Sequence, residues 1–180
     1  MIPGKATGKI QGFLRKIAQP KRPTEDISGL YLGEDRYLKI VSQPSNRPEY
    51  VSSISRTATD FQLAARYGNI GLVSHNYLGG RYFLSLKIGD CIFVTGSKRS
   101  KWEYEIKQIL QYQALDPRSP RSRFIDLQNN QMLTATEVFK KVYTGKHRLV
   151  LQTCIERGEI REWGRHFIIA RPVNQLLIGR

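Results

Sequence analysis

Leu149, Val150, Leu151, Gln152, Thr153 and Cys154 form an apolar run that ends on a thiol, the pattern of a buried strand delivering a cysteine to its own edge. Eleven positions later Arg165 opens a second such run, His166, Phe167, Ile168, Ile169 and Ala170. Upstream, His75 closes a third, Ile70, Gly71, Leu72, Val73 and Ser74. Nucleophile, cation and base therefore each sit at the edge of an apolar run, and only tertiary folding can bring His75 to Cys154.

Working outward, the chain from Ile27 on consists of short alternating or continuous apolar runs broken by Gly, Pro, Asn and Ser, the texture of an all-β barrel or sandwich. Strands are expected near Leu30–Leu32, Tyr37–Ser42, Tyr50–Ser53, Asn69–Ser74, Cys91–Thr95, Tyr104–Gln113, Arg148–Cys154 and Arg165–Arg171. Two helical pieces interrupt them. Thr59 or Asp60 caps Phe61 to Tyr67 with Gly68 as the stop, and Thr134 caps a turn through Glu137, Val138, Phe139 and Val142 that ends at Gly145. Leu78, Gly79 and Gly80 signal a turn.

The 180 residues suit a single core, and 40% hydrophobic with 10% aromatic residues excludes a wholly disordered chain. Two cysteines outside any CxxC pair indicate neither a disulfide scaffold nor a zinc site, and no metal or cofactor is expected. No apolar stretch approaches the roughly 20 residues of a membrane span, and the start lacks a secretory h-region, so the expectation is a soluble chain.

The net charge of +14 favours anionic partners, a membrane or cell-wall surface among them. Its basic residues are scattered from Lys5 to Arg171, and no zinc finger, RNP signature or GXXG loop is present, so nucleic acid is not the expected partner. Residues 1–27 read as a basic extension. In it Ile10, Phe13, Leu14 and Ile17 lie at helical spacing among Lys9, Arg15 and Lys16, ended by Pro20 and Pro23. That helix suits an anionic membrane surface or an arm packed on its own barrel, and residues 28–180 form the barrel domain.

A free thiol, with a pKa of about 8.5, needs a neighbouring base or cation to act as a nucleophile at neutral pH. His75 is the candidate base. Arg165, always charged and rich in donors, is the candidate for holding a carbonyl or an oxyanion. Arg161 competes with it, but Glu159, Ile160 and Arg161 read as loop whereas Arg165 leads into Phe167, Ile168 and Ala170. Cys91 with His147 or His166 is the alternative thiol pairing; in its alternating stretch Cys91 reads as core, His147 as a solvated turn residue, and His166 as pointing away from Arg165. Glu156, Glu159 and Glu162 read as local charge balance on one loop. Trp102, Tyr104 and Tyr112 read as one packed strand face.

The ordered set resembles the sortases, the cysteine transpeptidases of bacterial cell surfaces, over roughly residues 30–172. Gly71 to Asn76 resemble the family's small-apolar run into its histidine, and Phe83 to Leu86, Gly89, Asp90, Ile92 and Val94 its Gly-Asp before a strand. Trp102, Tyr104 and Ile106 follow in the next strand. Leu151, Gln152, Thr153 and Cys154 match the last four places of its Thr-Leu-x-Thr-Cys signature, with Val150 in place of the first threonine. Arg165, Phe167, Ile168 and Ala170 resemble the strand carrying its arginine.

The resemblance implies a mainly β protein, a closed eight-stranded mixed β-barrel with one or two short helices and an N-terminal helical extension. It implies that Cys154 attacks the carbonyl of a short sorting motif in a peptide or protein, forming a thioacyl enzyme. His75 then serves the leaving amine and the incoming amine or water, and Arg165, a backbone N–H and Thr153 hold the oxyanion. A bacterial cell surface is the implied location, although the membrane helix usual in sortases has no counterpart in this sequence. Ala114 to Asn130 match nothing in the family. The competing expectation from charge alone is a non-catalytic basic binding module on the same barrel.

Overall fold

The computed structural model describes residues 21–33 and 35–173. Ten strands form one sheet: β1 (Ile27–Tyr31), β2 (Tyr37–Ser42), β3 (Thr57–Asp60), β4 (Ile70–Val73), β5 (Cys91–Gly96), β6 (Lys101–Ala114), β7 (Arg123–Asp126), β8 (Met132–Thr134), β9 (Leu149–Arg157) and β10 (Ile160–Pro172). Between them lie helix α1 (Gln62–Ala65), a 3-10 segment (Gly79–Ser85) and helix α2 (Ala135–Tyr143). Eight strands close a ring in the order β1-β2-β3-β4-β9-β10-β6-β5, and β7 and β8 hang as a hairpin from the far end of β6. The barrel is mixed, because β2 with β3 and β4 with β9 pair in parallel and the other ring contacts are antiparallel.

Alternation divides the apolar residues between two cores. Leu30, Leu38, Leu72, Ile92, Ile106, Leu149, Leu151 and Ile168 fill the barrel. Val150, Phe167 and Ile169, on the opposite face of the same strands, join Leu110, Tyr112, Val138, Val142 and Tyr143 in an outer core beneath α2. Strand β6 serves both by a bulge. Ile169 pairs with Gln108 and Ala170 with Ile106, leaving Lys107 as the extra residue, so Tyr104 and Ile106 face the barrel while Leu110 and Tyr112 face α2. Trp102, Tyr104 and Tyr112 thus do not share one face, as strict alternation had led us to expect.

Helix α2 starts as its sequence foretells: Thr134 Oγ1 accepts from the Glu137 N–H at 3.2 Å, and Glu137 accepts from the Thr134 N–H at 2.8 Å. Its far end is held by buried Asn69, whose amide donates to the Tyr143 carbonyl and accepts from the Arg148 N–H, at 2.7 and 2.8 Å.

Three expectations are corrected. Tyr50–Ser53 is loop, and the strand lies later at Thr57–Asp60. Ser52 instead bonds this strand through side chains, its N–H donating to Thr59 Oγ1 at 2.8 Å and its hydroxyl accepting from Thr57 at 2.9 Å. Thr59 and Asp60 consequently belong to β3 rather than capping a helix, Asp60 pairs with Arg22 at 2.8 Å, and α1 shrinks to four residues without a side-chain cap. Glu156, Glu159 and Glu162 do not share a loop: β9 and β10 continue as a hairpin that turns at Gly158 and Glu159, so Glu156 and Glu162 are strand residues. The expected helix around residues 10–17 lies outside the described residues. No helix among the described residues is long and apolar enough to cross a membrane.

Candidate functional site

On β9, Leu149 and Leu151 point into the barrel and Val150 points out beneath α2. The same alternation sends Thr153 inward and Cys154 outward. Gln152, the last outward residue before the thiol, accepts the Tyr143 hydroxyl at 2.5 Å, which marks the rim of the helix-covered face. Cys154 stands one rung beyond that rim, half-buried.

Its neighbours follow from register. Arg165 pairs directly with Cys154 across β9 and β10. The Gln152 carbonyl is turned to β4, where it accepts the Ser74 N–H at 3.1 Å, so by alternation Cys154 also turns its backbone away from β10. Cys154 and Arg165 are then a pair without mutual backbone bonds, the kind whose side chains approach most closely. On the other flank Val73 is level with Gln152 in parallel pairing. Ser74 still bonds Gln152, but the paired register ends at Val73, and His75 follows β4 by two residues on that flank of β9. Cys154 and Arg165 thus face one another within the β9–β10 pair, His75 follows the neighbouring strand β4, and Arg161 lies farther along the β9–β10 hairpin.

Each flank is braced. The His75 carbonyl accepts N–H groups from Leu78 and Gly80, both at 3.0 Å, which turns the chain sharply into the 3-10 segment. Gly80 sits so close that a Cβ there would collide with Thr153 Oγ1 and would lie 2.5 Å from the Ser74 carbonyl oxygen and 2.7 Å from that of His75. Arg165 donates through Nη1 to the carbonyls of Glu162 and Gly164, at 2.8 and 3.1 Å, and through Nη2 to that of Pro117 at 3.0 Å. With five N–H donors on the guanidinium, two remain for a ligand. The Pro117 brace comes from the β6–β7 loop, within the stretch that had no counterpart in the resemblance. A carbonyl contact of this kind depends on loop conformation and leaves no signature in residue type.

Burial pushes the Cys154 thiol above the usual cysteine range, opposed by the Arg165 guanidinium and reinforced by the Glu162 carboxylate. The Thr153 hydroxyl is buried on the inner face, packed on Gly80 and without a hydrogen-bond partner among the described residues.

The other candidates take different places. Cys91 is exposed rather than core, because Ile92 and Val94 take the inward positions of β5. His147 is buried rather than solvated: Nδ1 donates to the Gly68 carbonyl at 2.7 Å and Nε2 accepts from the Tyr104 hydroxyl at 3.0 Å, so neither nitrogen is free for Cys91. His166 faces away from Arg165 as expected, buried, with Nδ1 accepting from Gln111 at 3.1 Å. Arg161 is a strand residue at the start of β10, and its guanidinium lies 5.5 Å from the centre of the Tyr77 ring. Tyr77 itself, stacked on His75, was missed by sequence reasoning although it stands two positions away.

No family model matches the chain, and no curated protein matches it either. Solved structures do resemble it. The sortase C1 of Streptococcus suis shares 12% identity over 87% of this chain and 77% of that one, with a TM-score of 0.56. Sortase C-1 of Actinomyces oris shares 12% over 93% and 82%, TM-score 0.55. A Clostridium perfringens sortase D5 transpeptidase shares 15% over 95% and 91%, TM-score 0.53. At such identities the likeness establishes the fold: the chain has the sortase-type barrel.

Proposed function

We propose that this sortase-fold protein is a cysteine transpeptidase or peptidase acting on a short sorting-type motif. The observation that carries the proposal is the rung on which Cys154 pairs with Arg165, with β4, which His75 follows by two residues, paired along the other flank of β9. In the proposed reaction the Cys154 sulfur attacks a backbone carbonyl and its proton passes to His75. The tetrahedral oxyanion is met by the free Arg165 donors and a backbone N–H. Collapse breaks the C–N bond, the His75 proton leaves with the amine, and a thioester remains on Cys154. An amine or water then attacks the thioester, giving its proton back through His75 as the C–S bond breaks. The known transpeptidase among the similar structures supports the amine route, and water gives hydrolysis at the same centre.

The test is a peptide library incubated with the protein and a small amine, followed by intact-protein mass spectrometry. An acyl adduct on Cys154, and a product that vanishes in Cys154→Ala, are expected. A protein that never acquires an adduct, and whose Cys154 reacts with thiol reagents no faster than exposed Cys91, would be a binding module instead. The net charge of +14 is the observation that favours that second reading.

A further inference from the structure

The loop after β4 stacks two rings. The His75 and Tyr77 ring centres are 5.2 Å apart with planes inclined by 20°. The Arg161 guanidinium lies 5.5 Å from the centre of the same Tyr77 ring, and Asn76, between the two rings in sequence, donates its side-chain amide to the Arg161 carbonyl at 3.1 Å. Tyr77 is thus tied to the β9–β10 hairpin both by Arg161 and through its neighbour.

Burial does not explain this ring, since Tyr77 is 50% exposed. A catalytic imidazole is usually oriented by a hydrogen bond from its second nitrogen to a carboxylate or carbonyl. Among the described residues the His75 ring has no hydrogen-bond partner, and the stack is the contact left to fix its plane. We propose that Tyr77 is the positioning residue of His75, with Arg161 as its anchor on the hairpin. The proposal rests on His75 being the proton carrier of the centre. It gives Arg161 a task distinct from that of Arg165: it acts on the imidazole through an aromatic ring, while Arg165 faces the thiol across a strand pair. The hairpin between Cys154 and Arg165 then also supports the histidine.

Alkylation of Cys154 by iodoacetamide tests this without knowledge of the substrate, in a Cys91→Ser background so that one thiol reports. Tyr77→Leu is expected to slow alkylation at neutral pH roughly tenfold, the scale of a small misplacement of a catalytic group. Tyr77→Phe, which keeps the ring, should recover most of that loss. Arg161→Gln, on an exposed side chain, should slow the reaction about threefold in the same direction. Combined with His75→Ala, Tyr77→Leu should add nothing, because both act through one imidazole. In the NMR spectrum the His75 Cε1 proton should be shifted upfield by the neighbouring ring and return downfield in Tyr77→Leu. A Tyr77→Leu protein that alkylates at the parental rate while His75→Ala is slow overturns the positioning role and leaves the proposed function standing. Losses that multiply in the double variant overturn it too. A parental rate for His75→Ala removes the proton carrier, and both proposals fall together.

Discussion

At the residue scale, Cys154 is poised between opposing influences, and their signs can be separated. Burial raises the thiol, Glu162 raises it further, and Arg165 lowers it. Arg165→Gln removes the cation that favours thiolate and should move the pH midpoint of Cys154 alkylation upward; Glu162→Gln should move it downward. Opposite shifts in a rate-against-pH measurement are expected, and an unshifted midpoint in both variants would mean that neither charge senses the sulfur. Cys154 and Arg165 were visible in the sequence because each ends or opens an apolar run, and period-two alternation then sets both on one face. Tyr77 was not visible in that way. Its role depends on a ring plane and on a partner 84 positions away, and residue type encodes neither.

Among the elements, the turn into the 3-10 segment holds His75 by packing glycine directly on the strand ends. Gly80→Ala would drive a methyl group against the carbonyls of Ser74 and His75 and the Thr153 hydroxyl. Overpacking of this kind costs about 1–3 kcal/mol, so a lowered denaturation midpoint together with slower Cys154 alkylation is expected. Unaltered alkylation in a destabilised protein would show that the turn supports the fold alone. The Leu78, Gly79, Gly80 signal told the sequence reader of a bend but not of what it pressed against. Strands with large apolar residues were legible to within a few positions. The short β3, whose residues are Thr57, Ala58, Thr59 and Asp60, was hidden because it carries no large side chain to declare a period. The β9–β10 hairpin was read as loop because its charged residues reach beyond the core and need no apolar alternation.

Across the whole molecule, two buried histidines tie distant parts together and set an acid limit. Burial holds His147 below the ordinary histidine range, opposed by its bond to the Gly68 carbonyl; burial does the same to His166, with the Phe83 backbone opposing. The unfolded chain therefore binds protons that the folded barrel refuses. Stability is complete above the ordinary histidine pKa of about 6.5 and declines as pH falls below it, by at most about 1.4 kcal/mol per pH unit for each histidine. Urea midpoints should drop between neutral and mildly acidic pH, and His166→Gln should flatten that drop. A pH-independent midpoint in this window would mean that both rings titrate normally. The closed eight-stranded mixed ring matches what the resemblance implied, whereas texture alone left barrel or sandwich open, because the parallel seam between β4 and β9 joins segments 79 positions apart.

That seam also orders events at the ribosome. A nascent chain that has emerged as far as Thr144 can pair β4 with β3 only, because β9, the strand for its other flank and the one that carries Cys154, has not yet been made. The antiparallel half of the seam can therefore form early in synthesis, while its parallel half, and with it the closed ring, waits for the last two strands.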